Sequence, residues 1–353
     1  MTAAPFVEIA GRRIGEDQPP FVICELSGNH NGSLDRALAM IDAAAATGCD
    51  AIKIQTYTPD TITIASDRPE FRIAGGPWGG RTLHDLYGEA YTPYEWHAAL
   101  FRRARERGVT LFSTPFDETA IELLESLDAP AYKIASFEAV DLPLIASVAR
   151  RGKPMIISTG LANLAEIEEA AATARANGCA QLALLHCVSA YPAPIAEANV
   201  RTVADLAARF GVVAGLSDHT PGTAASVAAV ALGAAVIEKH FTLARADGGP
   251  DAGFSLEPDE FAALVRDCKD AWAALGRAHY DLKGSEAANA QFRRSLYVVA
   301  DVAAGEALTP ANIRSIRPGH GLPPKALDHV LGRRAARDLK RGEALAWEMV
   351  EGA

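Results

Sequence analysis

The chain has 353 residues, enough for one large domain and a second, smaller one. Charged residues make up 22% and apolar residues 49%, the balance of a folded globular protein rather than a disordered or fibrous one. The formal net charge of −10, with no cluster of lysine and arginine to offset it, argues against a nucleic-acid partner but leaves room for a small anion at a locally positive site.

The five cysteines, at 24, 49, 179, 187 and 268, form no CxxC pair and mostly sit in apolar stretches, where cysteine behaves as a small hydrophobe. A reducing, cytoplasmic setting is the expectation. The opening residues MTAAP show no basic-then-apolar targeting pattern. No apolar run approaches the roughly 20 residues that a membrane helix needs.

In chain order, residues 6–9 and 12–14 flank Gly11 and predict a small hairpin able to plug the bottom of a barrel. Eight short, almost continuously apolar stretches follow, at 21–27, 51–57, 110–116, 131–136, 154–160, 182–189, 212–218 and 235–241. Such runs are expected of strands buried on both faces of a parallel sheet. Helical periodicity fills the intervals. In 34–47 the apolar positions 34, 37, 38, 41, 44 and 45 make one stripe, Ser33 is placed to cap its start and Gly48 to end it. The segments 94–107, 117–127, 142–150, 164–177, 200–210, 221–233 and 260–275 read the same way. Eight strands alternating with helices over about 250 residues predict a (β/α)8 TIM barrel. A doubly wound open sheet is the alternative, but the segment after the first strand, ELSGNHNG, is not the glycine fingerprint of that fold.

One interval is long. Residues 58–93 mix turn formers with Trp78, Leu83, Leu86, Tyr87 and Tyr91, which favour burial, so this segment reads as a lid or specificity loop at the barrel mouth. After Leu275 the pattern changes. The expected division is a barrel with its hairpin at 1–278, a linker at 279–291 and a small β-rich domain at 292–353. That last domain contains an internal echo, DVAAGEAL from Asp301 and DLKRGEAL from Asp338, which suggests two similar corners of one fold.

The ends of the strands carry the chemistry. Lys53 and Lys133 lie in apolar strands, where an unpaired ammonium costs several kcal/mol, so each needs an anionic partner. Ion pairs to Glu25 or Glu138 would answer that need within the protein. A bound phosphate or carboxylate would answer it too, and the hydroxyls of Thr114, Ser136, Ser158, Ser189 and Ser217 at successive strand ends favour this second reading. His219 and His240 end the last two strands, and two imidazoles side by side at a barrel mouth are able to share a divalent ion; the alternative is that each caps its own turn. Glu238 shares a face with His240 by strand alternation and is placed to orient a water or act as a base. Two protein ligands leave most of the metal's positions open, which suits polarisation of a substrate carbonyl.

The segments 25–32 (ELSGNHNG), 53–56 (KIQT), 113–116 (STPF), 132–136 (YKIAS), 158–160 (STG), His186-Cys187 with Tyr191-Pro192, 215–220 (GLSDHT) and 237–242 (IEKHFT) together resemble the sialic acid synthase family. Residues 293–296 (RRSL) and 316–319 (IRPG) are similar to the antifreeze-like, or SAF, domain of that family. The resemblance covers nearly the whole chain. It implies an enzyme, a transferase that condenses phosphoenolpyruvate with an N-acetylated amino sugar into a nine-carbon 2-keto acid. It further implies that Lys53, Thr114, Lys133, Ser136, Ser158, Ser189 and Ser217 hold phosphoenolpyruvate. Glu25 and Glu238, with Lys53 and Lys133, would be catalytic. His219 and His240 would bind Mn²⁺, or Mg²⁺ or Co²⁺ in its place. Gln55, Glu138, Tyr191, Asp251 and Arg317 would contact the sugar, with Arg317 supplied by the other subunit of a domain-swapped homodimer. The long loop, with WGGRTL from Trp78 and EAYTP from Glu89, is similar to the branch acting on 2,4-diacetamido-2,4,6-trideoxy-L-altrose. Where the N-acetylneuraminate branch has Asn, this chain has Ser189. The precursors of N,N'-diacetyllegionaminic and N-acetylneuraminic acid are the alternative substrates, and a non-catalytic sugar-binding scaffold is the alternative from outside the enzymes.

Overall fold

In the computed structural model, which describes residues 4–76 and 78–352, the chain starts with an antiparallel hairpin of β1 (Val7–Ile9) and β2 (Arg12–Ile14). Eight parallel strands follow: β3 (Phe21–Glu25), β4 (Ala51–Thr56), β5 (Thr110–Pro115), β6 (Tyr132–Ile134), β7 (Met155–Ser158), β8 (Leu182–Cys187), β9 (Val213–Asp218) and β10 (Val236–His240). They pair in sequence order, and β10 closes the barrel on β3 with His240 opposite Glu25. The helices are α1 (Leu34–Ala46), α2 (Pro59–Ile62), α3 (Leu83–Ala90), α4 (His97–Glu106), α5 (Glu118–Ser126), α6 (Leu142–Ala149), α7 (Leu164–Ala176), α8 (Thr202–Phe210), α9 (Ala224–Ala231) and α10 (Pro258–Leu275). The expected TIM barrel is present. No helix among the described residues is long and apolar enough to cross a membrane.

All the barrel strands but β9 end earlier than their apolar runs. The run 131–136 yields only Tyr132–Ile134, because the backbone turns at once into a 3₁₀ turn over Ser136–Glu138. Ser136 and Glu138 are thereby lifted off the strand and onto the rim. Local chemistry sets the helix starts: Ser33 accepts from the Arg36 backbone N–H at 3.2 Å, and Asn163 and Glu166 form a reciprocal cap at the head of α7.

Strand alternation separates two cores. Outward residues such as Val22, Ile52, Tyr132, Leu184 and Ile237 pack under the helices. Inward residues at the lower end (Ile23, Ala51, Phe112, Ala131, Ile156, Leu185, Val213 and Val236) form a separate apolar layer that includes Val7, Ile9 and Ile14 of the hairpin. The hairpin thus plugs the barrel floor, and Arg12 is fixed there by an ion pair to Asp50.

The chain divides into units at Met1–Gly276 and Arg277–Ala353. The second unit holds a 3₁₀ segment (Gly284–Phe292), the antiparallel pair β11 (Ser295–Val298) and β12 (Ile313–Ile316), and the short α11 (Leu327–Val330) around its own apolar core. The echo seen in the sequence is structural. Val302 bridges Leu339, Asp301 accepts from the Arg341 N–H at 2.9 Å, and Asp338 accepts from the Ala304 N–H at 2.8 Å, each copy thus closing the other's turn.

Candidate active site

One inward residue above the apolar layer on each strand is polar: Glu25, Lys53, Thr114, Lys133, Ser158, Cys187, Ser217 and Glu238. Strand alternation alone puts them on one level, and the loops above enclose a cavity of about 430 Å³. Lys53 lies between two carboxylates, 2.8 Å from Glu238 Oε1 and 3.2 Å from Glu25 Oε2, and it donates to Thr114 Oγ1 at 3.3 Å. Lys133 Nζ is 3.8 Å from Glu238 Oε2. The partners of the buried lysines are therefore Glu25 and Glu238. Glu138 belongs to the rim.

This arrangement leaves directed gaps. Glu238 Oε2, Ser158 Oγ, Glu138 Oε2 and His240 Nδ1 are buried without hydrogen-bond partners, and all four residues line the cavity. Buried polar atoms are ordinarily paired, so four orphans facing one space mark a polar ligand's place. Burial drives the Lys133 ammonium down to about 8 against the pull of Glu238. Burial also raises Glu138, to about 7. Glu238 is held below the usual carboxylate range: its burial is outweighed by Lys133 and Lys53.

Ser136 and Ser189 join their hydroxyls at 2.8 Å. Gly160 makes this possible, since a Cβ there would stand 2.2 Å from Ser189 Oγ and 3.1 Å from Cys187 Sγ. Glu25, Thr114 and Ser189 do not themselves line the cavity; they sit behind Lys53 and Ser136. Gln55 donates to Glu25 at 2.8 Å and to Ser27 at 3.2 Å.

His219 and His240 lie with ring centroids 5.3 Å apart. His219 Nδ1 is 2.9 Å from the Val188 carbonyl, which makes that nitrogen the donor and leaves Nε2 as the nitrogen open to a ligand. Burial, then the nearby charges of His219 and Lys53, push His240 well below its ordinary value, so its ring is neutral. Asp251 Oδ2 is 3.7 Å from His240 Nδ1 and accepts from the Ser27 hydroxyl. Two imidazoles, one with an unpartnered buried nitrogen, fit a divalent ion that would leave positions open for substrate and water. Among the described residues no group of three or more His, Cys, Asp or Glu side chains is arranged around a metal position.

Two strand-end residues face away from the cavity. Asp218 and His186 have the opposite parity: Asp218 pairs with the buried Lys239 at 2.8 Å, and His186 bonds the Ala198 carbonyl at 2.8 Å. Sequence reasoning missed Cys187 and Tyr57, which line the cavity. The signal was available, since Cys187 shares the parity of Ser189 and Tyr57 that of Lys53 and Gln55. Arg317 belongs to the second unit, immediately after β12.

The long loop covers the cavity. Tyr57 packs edge-on against Tyr87 and Phe116, with centroids 5.6 and 5.1 Å apart. Trp78 donates its indole N–H to the Pro250 carbonyl at 2.8 Å and leans on Tyr191, which in turn lies 4.4 Å from the His219 ring.

Comparison with known proteins agrees with this geometry. The sequence profile of the NeuB family matches residues 40–280 and that of the SAF domain matches 293–351. The chain is 45% identical to the pseudaminic acid synthase of Campylobacter jejuni, over 93% of this chain and 96% of that protein. It is 34% identical to the N,N'-diacetyllegionaminic acid synthase of Legionella pneumophila, over 96% of each. A solved structure of the N-acetylneuraminic acid synthetase of Leptospira borgpetersenii, in complex with citrate, superposes with a TM-score of 0.72 at 31% identity, covering 81% of this chain and 95% of that one. Profile, relatives along its whole length and barrel geometry agree: the chain belongs to the NeuB family and has a SAF domain at its C-terminal end.

Proposed function

We propose that this protein is a pseudaminic acid synthase, condensing phosphoenolpyruvate and water with 2,4-diacetamido-2,4,6-trideoxy-L-altrose to give pseudaminic acid and phosphate. The observation that carries the reading is the set of orphaned buried polar atoms beside two lysines and two histidines, in a chain that is 45% identical to a protein of that name. The higher identity to it than to the legionaminic relative, 45% against 34%, favours this sugar over the alternative.

In this reading Lys53 and Lys133, with Ser136, Ser158 and Ser217, hold the phosphate and carboxylate of phosphoenolpyruvate on the barrel floor. Thr114 and Ser189 act from behind, by fixing Lys53 and Ser136. A divalent ion held by His219 and His240, manganese in our reading, would polarise the aldehyde of the open-chain sugar. Carbon 3 of phosphoenolpyruvate attacks that aldehyde carbon, water adds at carbon 2, and cleavage of the bond between carbon 2 and the bridging oxygen releases phosphate. Glu238 is the residue that receives the water's proton. It lines the cavity, its Oε1 is engaged by Lys53, and its Oε2 is free to accept. Glu25, behind Lys53, holds that ammonium in register. Gln55, Glu138, Tyr191 and Asp251 are assigned to the sugar, and Arg317 to the site of the second copy in a domain-swapped homodimer. A cytoplasmic location is part of the same reading.

The test is phosphate release from phosphoenolpyruvate with Mn²⁺, presenting the L-altrose derivative, the legionaminic precursor and N-acetylmannosamine in parallel. Release with the first alone is expected. Release with another sugar would keep the synthase and replace its substrate. Absence of release with all three, in folded and metal-loaded protein, would refute the reading.

A further inference from the structure

The cavity has two chemically different ends. Its floor is charged and rich in hydrogen-bonding atoms. Its outer wall comes from the lid between β4 and α4, through Ile62, Ile73, Trp78, Leu83, Leu86 and Tyr87. All six line the cavity, and all but Leu86 are half-buried rather than fully covered by other protein. Only two of the six have polar side-chain atoms, and that of Trp78 is committed to the Pro250 carbonyl at 2.8 Å.

The wall is held in place from several directions. Ile73 exchanges backbone hydrogen bonds of 2.9 Å with Arg81 and Gly80, forming a small loop that ends at α3. Arg81 pairs with Glu89 across α3 at 2.7 Å. The end of α3 rests so closely on the loop after β3 that a Cβ on Gly28 would stand 2.9 Å from Ala90 Cα.

We propose that this lid wall is the specificity determinant for the end of the sugar remote from the reacting carbonyl, and that it selects a deoxygenated terminus, a methyl group where other hexoses have a hydroxymethyl. The inference rests on the synthase reading above, which puts the carbonyl at the charged floor; the far end of the same short chain then meets the lid. A methyl group there is covered by Ile62, Ile73 and Leu83 and leaves nothing unpaired. A hydroxyl in the same place loses its water and finds aliphatic carbon. An apolar pocket rejects an added hydroxyl only moderately, so the expected discrimination in kcat/KM is about 10–100-fold.

The experiment compares kcat/KM for 2,4-diacetamido-2,4,6-trideoxy-L-altrose and for the same sugar with its 6-hydroxyl restored. It uses the full chain with Mn²⁺, as wild type and as the double variant Ile62→Thr, Ile73→Thr. The wild type is expected to prefer the deoxy sugar by about 10–100-fold. The variant, which offers hydroxyls to the wall, is expected to narrow that ratio to a few-fold while leaving the KM for phosphoenolpyruvate unchanged. Equal kcat/KM on the two sugars in the wild type would overturn the proposal and leave the synthase standing. So would an unchanged ratio in a variant with native circular dichroism. No condensation with either sugar or with the other two acceptors would remove the synthase reading, and the proposal with it.

Discussion

The ion pair between Lys239 and Asp218 offers a sharp test of how the barrel is built, because its two members are unequally supported. Both side chains are 1% exposed. Asp218 accepts from the Thr220 N–H and hydroxyl at 2.8 Å each, from the Ser226 hydroxyl at 2.6 Å and from Lys239 at 2.8 Å. Lys239 has Asp218 and the Thr220 carbonyl. Replacing Lys239 by Met therefore leaves a carboxylate that still has three donors, at an expected cost of about 1–3 kcal/mol. Replacing Asp218 by Asn leaves a buried ammonium without a counter-charge, at about 3–5 kcal/mol. The double variant should cost less than the sum by about 2 kcal/mol, since neither charge remains to be left unpaired. Urea unfolding of the full chain, followed by helical circular dichroism, reads mainly the first unit, where the long helices lie. A Lys239→Met cost equal to or above that of Asp218→Asn, or additivity of the two within about 0.5 kcal/mol, would refute the reasoning.

Three further expectations follow from the cavity. Burial raises Glu138 to about 7 from an ordinary 4.5, so the fold prefers its neutral acid; stability is lost as pH climbs from about 4.5 to 7 and the loss then levels off. The full shift corresponds to about 3 kcal/mol, and partial solvent contact reduces this to about 1–2; Glu138→Gln should raise the Tm at pH 8 and leave it unchanged at pH 4, and a gain independent of pH would contradict the assignment. His219→Ala and His240→Ala should each weaken Mn²⁺ binding in calorimetry by at least about 100-fold and abolish most phosphate release while leaving circular dichroism native; full metal affinity in either variant would move the metal elsewhere. Gly160→Ala places a methyl group 2.2 Å from Ser189 Oγ, so the serine must rotate away from Ser136; the KM for phosphoenolpyruvate should rise about 10-fold, the loss of roughly one hydrogen bond to a charged group, and an unchanged KM would show that the serine pair does not touch it.

Most of the barrel was legible because its signal is local. Eight apolar runs separated by capped helices admit few arrangements, and the strands were found with errors only at their ends. One such error has a plain cause: an apolar residue on a rim turn looks like one in a strand, as at Ala135. The site was legible where chemistry conflicts with burial, so Lys53 and Lys133 stood out. Lys239 did not, although it is equally buried, because it reads as part of a charged run beside Glu238. Asp218 and His186 lie in the same strand-end motifs as site residues, and only their parity turns them outward. Thr114 and Ser189 illustrate a deeper limit. Sequence brings polar residues to the right level, but which of them reaches the cavity depends on side chains from neighbouring strands, and those meet only once the barrel has closed.

The hairpin that plugs the barrel floor lies ahead of its own seat in the chain. Its seat is built from the lower ends of strands running from β3 to β10, so it is complete only when residue 240 has been made. Until then Val7, Ile9 and Ile14 lack the full apolar layer they pack into, part of which lies more than two hundred residues away in sequence. Closure of β10 on β3 and completion of the hairpin's seat are therefore the same structural step. A chain interrupted after β9 would be left open at its side and at its base together.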